Sequence, residues 1–304
     1  MPPISAPPPD ATLVPEGFLV GDEIRVHFLD WDGPTGSGPA VVLVPGLMSP
    51  AWSWAPVARR LAGLRRTIVA DLRGHGLSDS PIDGYDIEML ATDIVLVAEA
   101  GLPGFSGPSE GGLVVAGHGF GGCVAAVAAA RMGDRCAGVV LVDGGFERLE
   151  VTTGLDVDEF LRGLDEPPEV MRSMDAWLAD RRAFDPGTWD ADQARAAADS
   201  VVETGAGHVV RAVRPHVVEA VVRTMFDYDP APRLASIPCP VTAMVALASG
   251  DAELRLAELG RAAVARTAAG RSPVKVASEA GAAHNLPRYR PAEVAAAILA
   301  AHVR

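Results

Sequence analysis

The segment AGHGFGGC, residues 116 to 123, has the spacing of a motif in which a nucleophilic side chain stands on a sharp turn between a strand and a helix. Small residues must stand two places before and two places after the nucleophile, because larger side chains would clash in such a turn. Gly117 and Gly121 meet that requirement. The G-x-S-x-G pattern puts the nucleophile at residue 119, which is glycine here. The motif therefore predicts where a catalytic site lies but supplies no nucleophilic atom.

The stretches on both sides of this motif have the composition of a strand followed by a helix. GLVVA is uniformly apolar, and the alanine-rich GCVAAVAAARMG follows the motif. Short apolar runs recur at residues 40–46, 66–72, 137–145, 240–247 and 274–280, with helical stretches between most of them. This alternation predicts a mostly parallel sheet covered by helices on both faces. Residues 18 to 31, interrupted by Gly21-Asp22, predict two antiparallel edge strands.

One long region, residues 146–237, interrupts the alternation. It contains helical stretches separated by proline-containing turns such as Pro167-Pro168 and Pro186-Gly187, and no convincing strand. We expect a helical cap, inserted between strands six and seven over the carboxyl ends of the strands, where open α/β sheets bind ligands. The predicted boundaries are a disordered leader over residues 1–17, a core over 18–145 and 238–304, and the cap over 146–237.

Two further motifs accompany the turn at residue 119. They are VPGLMSPAWSW at residues 44–54 and DLRGHGLSDS at residues 71–80. Together the three motifs resemble the α/β-hydrolase fold superfamily, in its capped esterase, epoxide hydrolase and haloperoxidase-like branch, and the resemblance covers residues 18 to 304. VPGLMSPAWSW looks like the oxyanion loop after the third strand, with Pro45 where histidine is common. The resemblance implies an eight-stranded, mostly parallel sheet with helices on both faces and a helical cap.

The family order of nucleophile, acid and histidine points to three positions in this chain. Gly119 takes the nucleophile position, and His284 in EAGAAHNLP resembles the catalytic base. For the acid we favour Asp251 in ALASGDAELR, although its side chain would serve equally well as the N-cap of the following helix. Asp143, which ends the strand VLVDGG, is the alternative acid.

The resemblance also implies an oxyanion hole made by the backbone N–H groups of Leu47 and Phe120. Glycine at position 119 removes the nucleophilic hydroxyl and leaves these donors, the base and the acid in place. Ser49, in the oxyanion loop, is a lesser candidate for a replacement hydroxyl. We expect structural roles for the remaining polar residues of the motifs, which are Asp71, His75, Asp79 and Cys123.

The predicted substrate pocket combines residues of the motifs with large side chains of the cap. Its candidate residues are Met48, His118, Met171, Met174, Trp177 and Phe226, with Phe184, Trp189 and Tyr228 as further cap residues. His118 resembles the variable residue of the family's GHS elbow, which usually packs against or bonds to the sheet. Each cap residue could equally well serve to pack the cap onto the sheet.

The charge and cysteine content exclude several classes of function. With 39 acidic and 26 basic residues the formal net charge is −13, which repels nucleic acid and anionic lipid, so we expect a small-molecule substrate as partner. The three cysteines have no disulfide or metal-ligand spacing, and no metal or organic cofactor is implied. No apolar run reaches the ~18 residues of a membrane span, and no signal-peptide pattern is present. We expect a cytoplasmic protein and leave its oligomeric state open.

Three functions agree with these residues. In the first, the chain is a carboxylic-ester hydrolase whose serine nucleophile is replaced by Gly119, by design or in nature. In the second, a natural lyase or hydrolase uses His284 directly as general base. In the third, a non-catalytic relative binds a ligand in the pocket. We favour the first, an esterase-like enzyme for a small apolar ester or related carbonyl compound, with activity impaired or altered by Gly119.

Overall fold

An eight-stranded, mostly parallel sheet forms the centre of the molecule, as predicted. The structure is a computed structural model that describes residues 14–21, 24–33, 38–102, 112–164, 173–248 and 250–302. Its strands are β1 (Glu16–Gly21), β2 (Ile24–Trp31), β3 (Ala40–Val44), β4 (Thr67–Ala70), β5 (Leu113–His118), β6 (Cys136–Val142), β7 (Val201–Glu203), β8 (Val209–Arg211), β9 (Val241–Ala246) and β10 (Lys275–Glu279). The order in the main sheet is β1-β2-β4-β3-β5-β6-β9-β10, and only the β1/β2 and β2/β4 pairs are antiparallel.

Helices cover both faces of this sheet. They are α1 (Ala55–Leu61), α2 (Ile87–Gly101), α3 (Phe120–Met132), α4 (Leu149–Thr153), α5 (Val157–Leu164), α6 (Met174–Phe184), α7 (Ala191–Asp199), α8 (Pro215–Phe226), α9 (Pro230–Ser236), α10 (Ala252–Ala268), α11 (Leu286–Tyr289) and α12 (Pro291–Leu299), with short 3₁₀ turns at Ala51–Trp54 and Gly133–Arg135. None of the helices in the described ranges is long and apolar enough to cross a bilayer.

The central strands are buried on both faces, and this explains why their sequences are uniformly apolar. Val42 and Val115 belong to the larger hydrophobic cluster on one side of the sheet. Their neighbours Val41 and Val114 belong to the second cluster on the other side. Successive side chains of a strand point to opposite faces, so both faces of β3 and β5 need apolar residues.

The edge hairpin forms where the sequence predicts it, with Gly21 paired to Ile24 at its turn. The predicted leader, residues 1–17, is too long, however, because β1 begins at Glu16, which pairs with Leu29. Residues 1–13 lie outside the described part of the chain. A strand that pairs with β2 from residue 16 onward belongs to the sheet, so the leader boundary at residue 17 is corrected.

The region between β6 and β9, which we call the cap segment (residues 146–237), is mainly helical in its described parts. It contains helices α4 to α9, and α7 packs against the 3₁₀ turn at Ala51–Trp54. An ion pair between Arg59 of α1 and Asp192 of α7, with an Nη2–Oδ1 distance of 2.6 Å, joins the cap segment to the core. The expectation of a region without strands is corrected by β7 and β8, which pair with each other. Each has only three residues, too few for a visible alternation.

Candidate active site

Gly119 is the single residue between the end of β5 and the start of α3. Its backbone has φ 54° and ψ −121°, a conformation that glycine adopts more readily than any residue with a side chain. The Gly119 N–H donates to the Val142 carbonyl at 3.0 Å, which fixes the turn against the end of β6. A methyl group at Gly117 would overlap the Gly121 backbone, and one at Gly121 would overlap the backbone of β3. These close approaches explain the glycine spacing of the motif.

His284 lies in the loop after β10, and its ring reaches from Gly119 to Asp143. A Cβ atom at residue 119 would lie 3.1 Å from His284 Nε2. On the other side of the ring, Nδ1 is 2.7 Å from Asp143 Oδ2. An ionised carboxylate only accepts hydrogen bonds, so Nδ1–H donates to Asp143 and the Nε2 lone pair faces residue 119. The His284 side chain is 61% exposed, which leaves the ring accessible to water.

Asp143 follows β6 directly and its side chain is fully buried. Its φ of 51° is unusual for a residue with a side chain and turns the carboxylate toward the loop of His284. Oδ1 accepts from the Ala246 N–H at 2.7 Å and from Arg255 Nη1 at 2.9 Å. Burial opposes ionisation of this carboxyl, but the hydrogen bond from His284 and the charge of Arg255 outweigh it, and the pKa of Asp143 is lowered.

The preference for Asp251 as the partner of the histidine is therefore corrected in favour of the alternative, Asp143. Asp251 stands at the N-cap position of α10 and its side chain makes no capping hydrogen bond there. The same helix sends Arg255 to Asp143 instead. Sequence spacing did not reveal this arrangement, because it depends on the backbone turn at Asp143 and on an ion pair between residues 112 positions apart.

Arg255 and Glu147 are two charged residues of the site that the sequence analysis missed. Arg255 is buried, contacts Glu147 Oε1 at 3.2 Å and lies 5.4 Å from the ring centre of Phe146. Burial raises the pKa of Glu147, and the charge of Arg255 opposes that rise. The one signal in the sequence for Arg255 was its position as a charged residue in the first turn of the helix that follows β9.

The two expected oxyanion donors lie in the loops that meet at Gly119. Phe120 is the first residue of α3, so its N–H has no partner inside the helix. Leu47 follows β3, and the next residue, Met48, has φ 59°. A Cβ atom at Gly46 would lie 3.0 Å from the His118 carbonyl oxygen, so the two loops are in close contact.

His118 supports the loop that carries His284. It is buried, its Nε2–H donates to the His284 carbonyl at 2.9 Å, and the two ring centres are 4.6 Å apart. Burial and then the neighbouring His284 lower the pKa of His118 to about 3. The ring is therefore neutral at ordinary pH, and its polar contact is to the backbone of the loop after β10 rather than to the sheet, where the resemblance implied it.

The cap residues predicted for the pocket have contacts of several kinds. Met171 lies outside the described residues, and Met174 begins α6. Trp177 donates from Nε1 to the Ala197 carbonyl at 2.8 Å and so joins α6 to α7. This contact agrees with packing inside the cap segment, the second role that the sequence allowed.

Further aromatic residues of the cap segment also pack within the protein or face solvent. Phe226 stacks edge-on with Phe160, with ring centres 5.4 Å apart. Tyr228 is buried and donates to the Gly145 carbonyl at 3.1 Å. Phe184 is 80% exposed, so its expected place in a pocket wall is wrong. The size of a side chain in a helical cap predicts that it packs against other residues, but it does not identify those residues.

The remaining polar candidates have contacts that agree with structural roles. Asp71 accepts from the Leu77 N–H at 3.0 Å and pairs with His27. Asp79 pairs with Arg25 at 2.8 Å. These carboxylates hold the loop after β4 against β2.

Three further polar candidates remain, and two of them, Cys123 and His75, are buried in surroundings that disfavour reactivity. Ser49 Oγ lies 3.5 Å from the Leu47 carbonyl. Cys123 is buried in α3, and burial raises the pKa of its thiol. His75 is fully buried, which lowers its pKa. Within the described ranges, no group of three or more His, Cys, Asp or Glu side chains has a geometry that could hold a metal ion.

Two characterised bacterial enzymes are similar to this chain over about half its length. N-formylmaleamate deformylase of Pseudomonas putida is 38% identical over 135 residues, which are 44% of this chain and 46% of that protein. The 2-(acetamidomethylene)succinate hydrolase of Mesorhizobium japonicum is 33% identical over 147 residues, or 48% of this chain and 50% of that protein. The matched segments thus span about half of each relative.

Solved structures share the fold over nearly the whole chain. The crystal structure of E-2-(acetamidomethylene)succinate hydrolase has a TM-score of 0.73 and 22% identity, covering 95% of this chain and 98% of that one. A thioesterase domain from the curacin biosynthetic pathway has a TM-score of 0.70 and 21% identity, covering 95% and 100%. A sequence model described as the alpha/beta hydrolase family matches residues 41–297. The chain therefore belongs to the alpha/beta hydrolase family.

Proposed function

We propose that this protein hydrolyses small ester or amide carbonyl compounds, with His284 acting as general base on water. The observation that carries the proposal is the position of the His284 ring. Its Nδ1 is 2.7 Å from Asp143 Oδ2, and its Nε2 is 3.1 Å from the point where a residue-119 side chain would begin. A base so oriented faces the position at which family members carry a nucleophile.

The neighbours of His284 favour proton transfer to Nε2. When Nε2 accepts a proton the ring becomes positive, and the adjacent Asp143 carboxylate stabilises that charge. The lowered pKa of Asp143 keeps this carboxylate ionised at neutral pH. Arg255 and the Ala246 N–H hold the carboxylate in position. General base catalysis of this kind contributes about 10² to 10⁴ in rate.

The reaction proceeds without a covalent intermediate on residue 119, since glycine has no atom that could form one. Water gives a proton to His284 Nε2 while its oxygen bonds to the substrate carbonyl carbon. The resulting oxyanion accepts hydrogen bonds from the Leu47 and Phe120 N–H groups. When the tetrahedral intermediate collapses, the bond to the alkoxide or amine breaks and the leaving group takes the proton from Nε2. The products are a carboxylic acid and an alcohol or amine.

The relatives support a carbonyl hydrolase and extend the substrate class from esters to amides. Their names describe the removal of a formyl group from N-formylmaleamate and the hydrolysis of 2-(acetamidomethylene)succinate, and both compounds are amides. Ester and amide hydrolysis share the tetrahedral intermediate that an oxyanion hole stabilises. The same base and donors therefore serve both.

The test compares the unmodified protein with His284→Ala and Gly119→Ser on p-nitrophenyl acetate and on an N-formyl amide. We expect slow turnover by the unmodified protein that falls by about 10² or more in His284→Ala. If Gly119→Ser turns over rapidly while the unmodified protein and His284→Ala share one background rate, the chain is a serine hydrolase that lacks its nucleophile. If all three proteins are inactive but bind ligand, the chain is a binding protein.

A further inference from the structure

Two of the three cysteines lie close together at the amino ends of neighbouring strands. Cys136 is the first residue of β6, and Cys239 lies two residues before β9, the strand that pairs with β6. Their sulfur atoms are 3.4 Å apart, although the residues are separated by 103 positions in the chain. A disulfide S–S bond is about 2.05 Å long, so small side-chain rotations would close the gap. The spacing of the cysteines predicted no such pair, because it depends on how the strands are arranged.

A shift in register directs the side chain of Cys136 toward Cys239. Consecutive residues of β5 lie opposite Cys136 and Gly138, so Ala137 is an extra residue in β6. An extra residue reverses the alternation of side chains along a strand. Cys136 therefore belongs to the hydrophobic cluster that contains Cys239, whereas Ala137 packs against the cluster on the other face of the sheet.

The loop that carries Cys239 is held from two sides. Pro238 and Pro240 flank the cysteine and restrict its backbone. The Pro240 carbonyl accepts from the Val139 N–H of β6 at 2.9 Å. From α10, the fully buried Arg266 donates to the Cys239 carbonyl at 2.6 Å. These contacts keep the Cys239 sulfur beside β6.

The surroundings make Cys239 the more acidic of the two thiols. The hydrogen bond with Cys136 and the positive charge of Arg266 outweigh burial and lower the pKa of Cys239. The same hydrogen bond and burial raise the pKa of Cys136. The thiolate is the reactive form of a cysteine, so Cys239 is the sulfur that reacts first. Cys239 is 7% exposed, which favours a small oxidant over a bulky one.

We propose that Cys136 and Cys239 form a reversible disulfide when the protein is exposed to a peroxide, and that this bond links the amino ends of β6 and β9. The Cys239 thiolate attacks hydrogen peroxide, the O–O bond breaks, hydroxide leaves and a sulfenic acid forms. The Cys136 sulfur then attacks the Cys239 sulfur, and the S–O bond breaks. The departing hydroxide takes the Cys136 proton and becomes water. Two thiols are oxidised by two electrons, and one peroxide is reduced to two water molecules.

The disulfide would enclose the whole cap segment in a covalent loop. Closing a loop of about 100 residues restricts the unfolded chain and so stabilises the native state. The cysteine pair lies at the amino ends of the strands, whereas Gly119 and Asp143 follow the carboxyl ends of β5 and β6. The inference therefore goes beyond the proposed function and does not depend on it.

Peptide mapping of the oxidised protein tests the bond directly. The folded protein is treated with a slight molar excess of hydrogen peroxide, and its free thiols are then alkylated in denaturant. Trypsin releases Cys136 within residues 136–148 and Cys239 within residues 234–255. We expect the two peptides to be joined, with the loss of two hydrogen atoms, and to separate again in dithiothreitol. The buried Cys123 should remain reduced and be alkylated.

Thermal unfolding measures the effect of the bond on stability. We expect the oxidised protein to unfold about 5 °C or more above the reduced protein, and dithiothreitol to reverse the shift. Cys123→Ala is the matched control and should keep the shift, whereas Cys136→Ala and Cys239→Ala should each lose it. The peptide mapping uses the unmodified protein, so the test stands even if a variant does not fold.

The disulfide would be refuted if the two peptides stay separate after peroxide treatment, if Cys239 is oxidised to a sulfinic acid without a link, or if the link forms only in denatured protein. A linked pair with an unchanged unfolding temperature would refute the stabilising link between β6 and β9. A shift that persists in Cys239→Ala would assign the stabilisation to another modification and overturn the proposal.

Discussion

At the scale of single residues, Arg255 balances two buried carboxylates that have different neighbours. It contacts Asp143 Oδ1 at 2.9 Å and Glu147 Oε1 at 3.2 Å. Burial opposes ionisation of both acids, but Asp143 also receives hydrogen bonds from His284 and the Ala246 N–H. The pKa of Asp143 is therefore lowered and that of Glu147 raised. A proton added to this cluster is expected on Glu147, so Asp143 remains available to the histidine.

Removing Arg255 should strongly destabilise the protein. Arg255→Met leaves Asp143 and Glu147 buried without their cation, and we expect the free energy of unfolding to fall by about 3–5 kcal/mol. Urea unfolding followed by circular dichroism measures the change. Adding Glu147→Gln to Arg255→Met removes one of the two uncompensated acids and should recover part of the loss. A loss below about 1 kcal/mol in Arg255→Met would contradict this account of the cluster.

His118 should make stability fall as the solution becomes acidic. Its pKa is lowered from 6.5 to about 3 in the folded protein, mainly by burial. Between these values the unfolded chain binds a proton that the native state does not. The free energy of unfolding therefore falls as pH drops, by up to about 1.4 kcal/mol per pH unit. At pH values above 6.5 this contribution is constant.

The variant His118→Gln tests this dependence, because an amide keeps an N–H donor for the His284 carbonyl and does not titrate. Urea unfolding between about pH 7 and about pH 5 should show a shallower decline in this variant. Part of the slope should remain, since burial also lowers the pKa of His75. An unchanged slope would show that His118 does not contribute.

At the scale of elements, the turn between β5 and α3 places residue 119 in a backbone conformation that favours glycine and beside the His284 ring. Gly119 and Gly133 have nearly the same conformation, with φ 54° and ψ −121° in one and φ 58° and ψ −129° in the other. A Cβ atom at Gly133 would meet nothing within 4 Å, whereas one at Gly119 would lie 3.1 Å from His284 Nε2. Substituting each glycine in turn therefore separates the cost of the backbone conformation from the effect of the contact with His284.

We expect Gly119→Ser and Gly133→Ser each to lower the free energy of unfolding by about 1–3 kcal/mol, because both force a side chain into a sparsely populated backbone region. The difference between the two values reports the effect of the His284 contact. Thermal and urea unfolding of both variants provide the measurement. A stable Gly119→Ser beside a destabilised Gly133→Ser would show that the turn at residue 119 carries no strain cost.

The attachment of α7 to α1 depends on the ion pair between Asp192 and Arg59. Both side chains are largely buried, and two of their atoms are 2.6 Å apart. Asp192→Ala should therefore loosen α7, with faster amide hydrogen exchange in α7 and little change in β5. Asp190→Ala, which removes the N-cap bond to the Gln193 N–H, tests whether fraying of the helix alone produces the same effect. Equal exchange in the two variants would argue against the ion pair as the anchor.

The elements that could be predicted are those with a strong local pattern. Glycine spacing predicted the turn at residue 119, and uniformly apolar runs predicted β3, β5, β6 and β9. The β7/β8 hairpin could not be predicted, because its strands have three residues each. The partner of His284 depends on the positive φ of Asp143 and on Arg255 from a distant helix, and neither is visible as a pattern in the chain.

At the scale of the whole molecule, the fold joins a candidate site on the core sheet to an inserted cap segment. Asp143 and Gly119 directly follow β6 and β5, and His284 lies in the loop after β10, so all three are carried by the core. The cap segment is joined to this core by contacts such as the ion pair between Arg59 and Asp192. The proposed base, His284, and its partner Asp143 are thus positioned by the core.

Direct activation of water by His284 requires that no acyl group is transferred to the protein. Intact-protein mass spectrometry during turnover of p-nitrophenyl acetate tests it most directly, with Gly119→Ser as the control that is able to form an acyl-serine. We predict that the unmodified protein releases product with no added acetyl mass, whereas Gly119→Ser acquires one. An acetyl adduct on the unmodified protein that forms and decays at the turnover rate would contradict the claim.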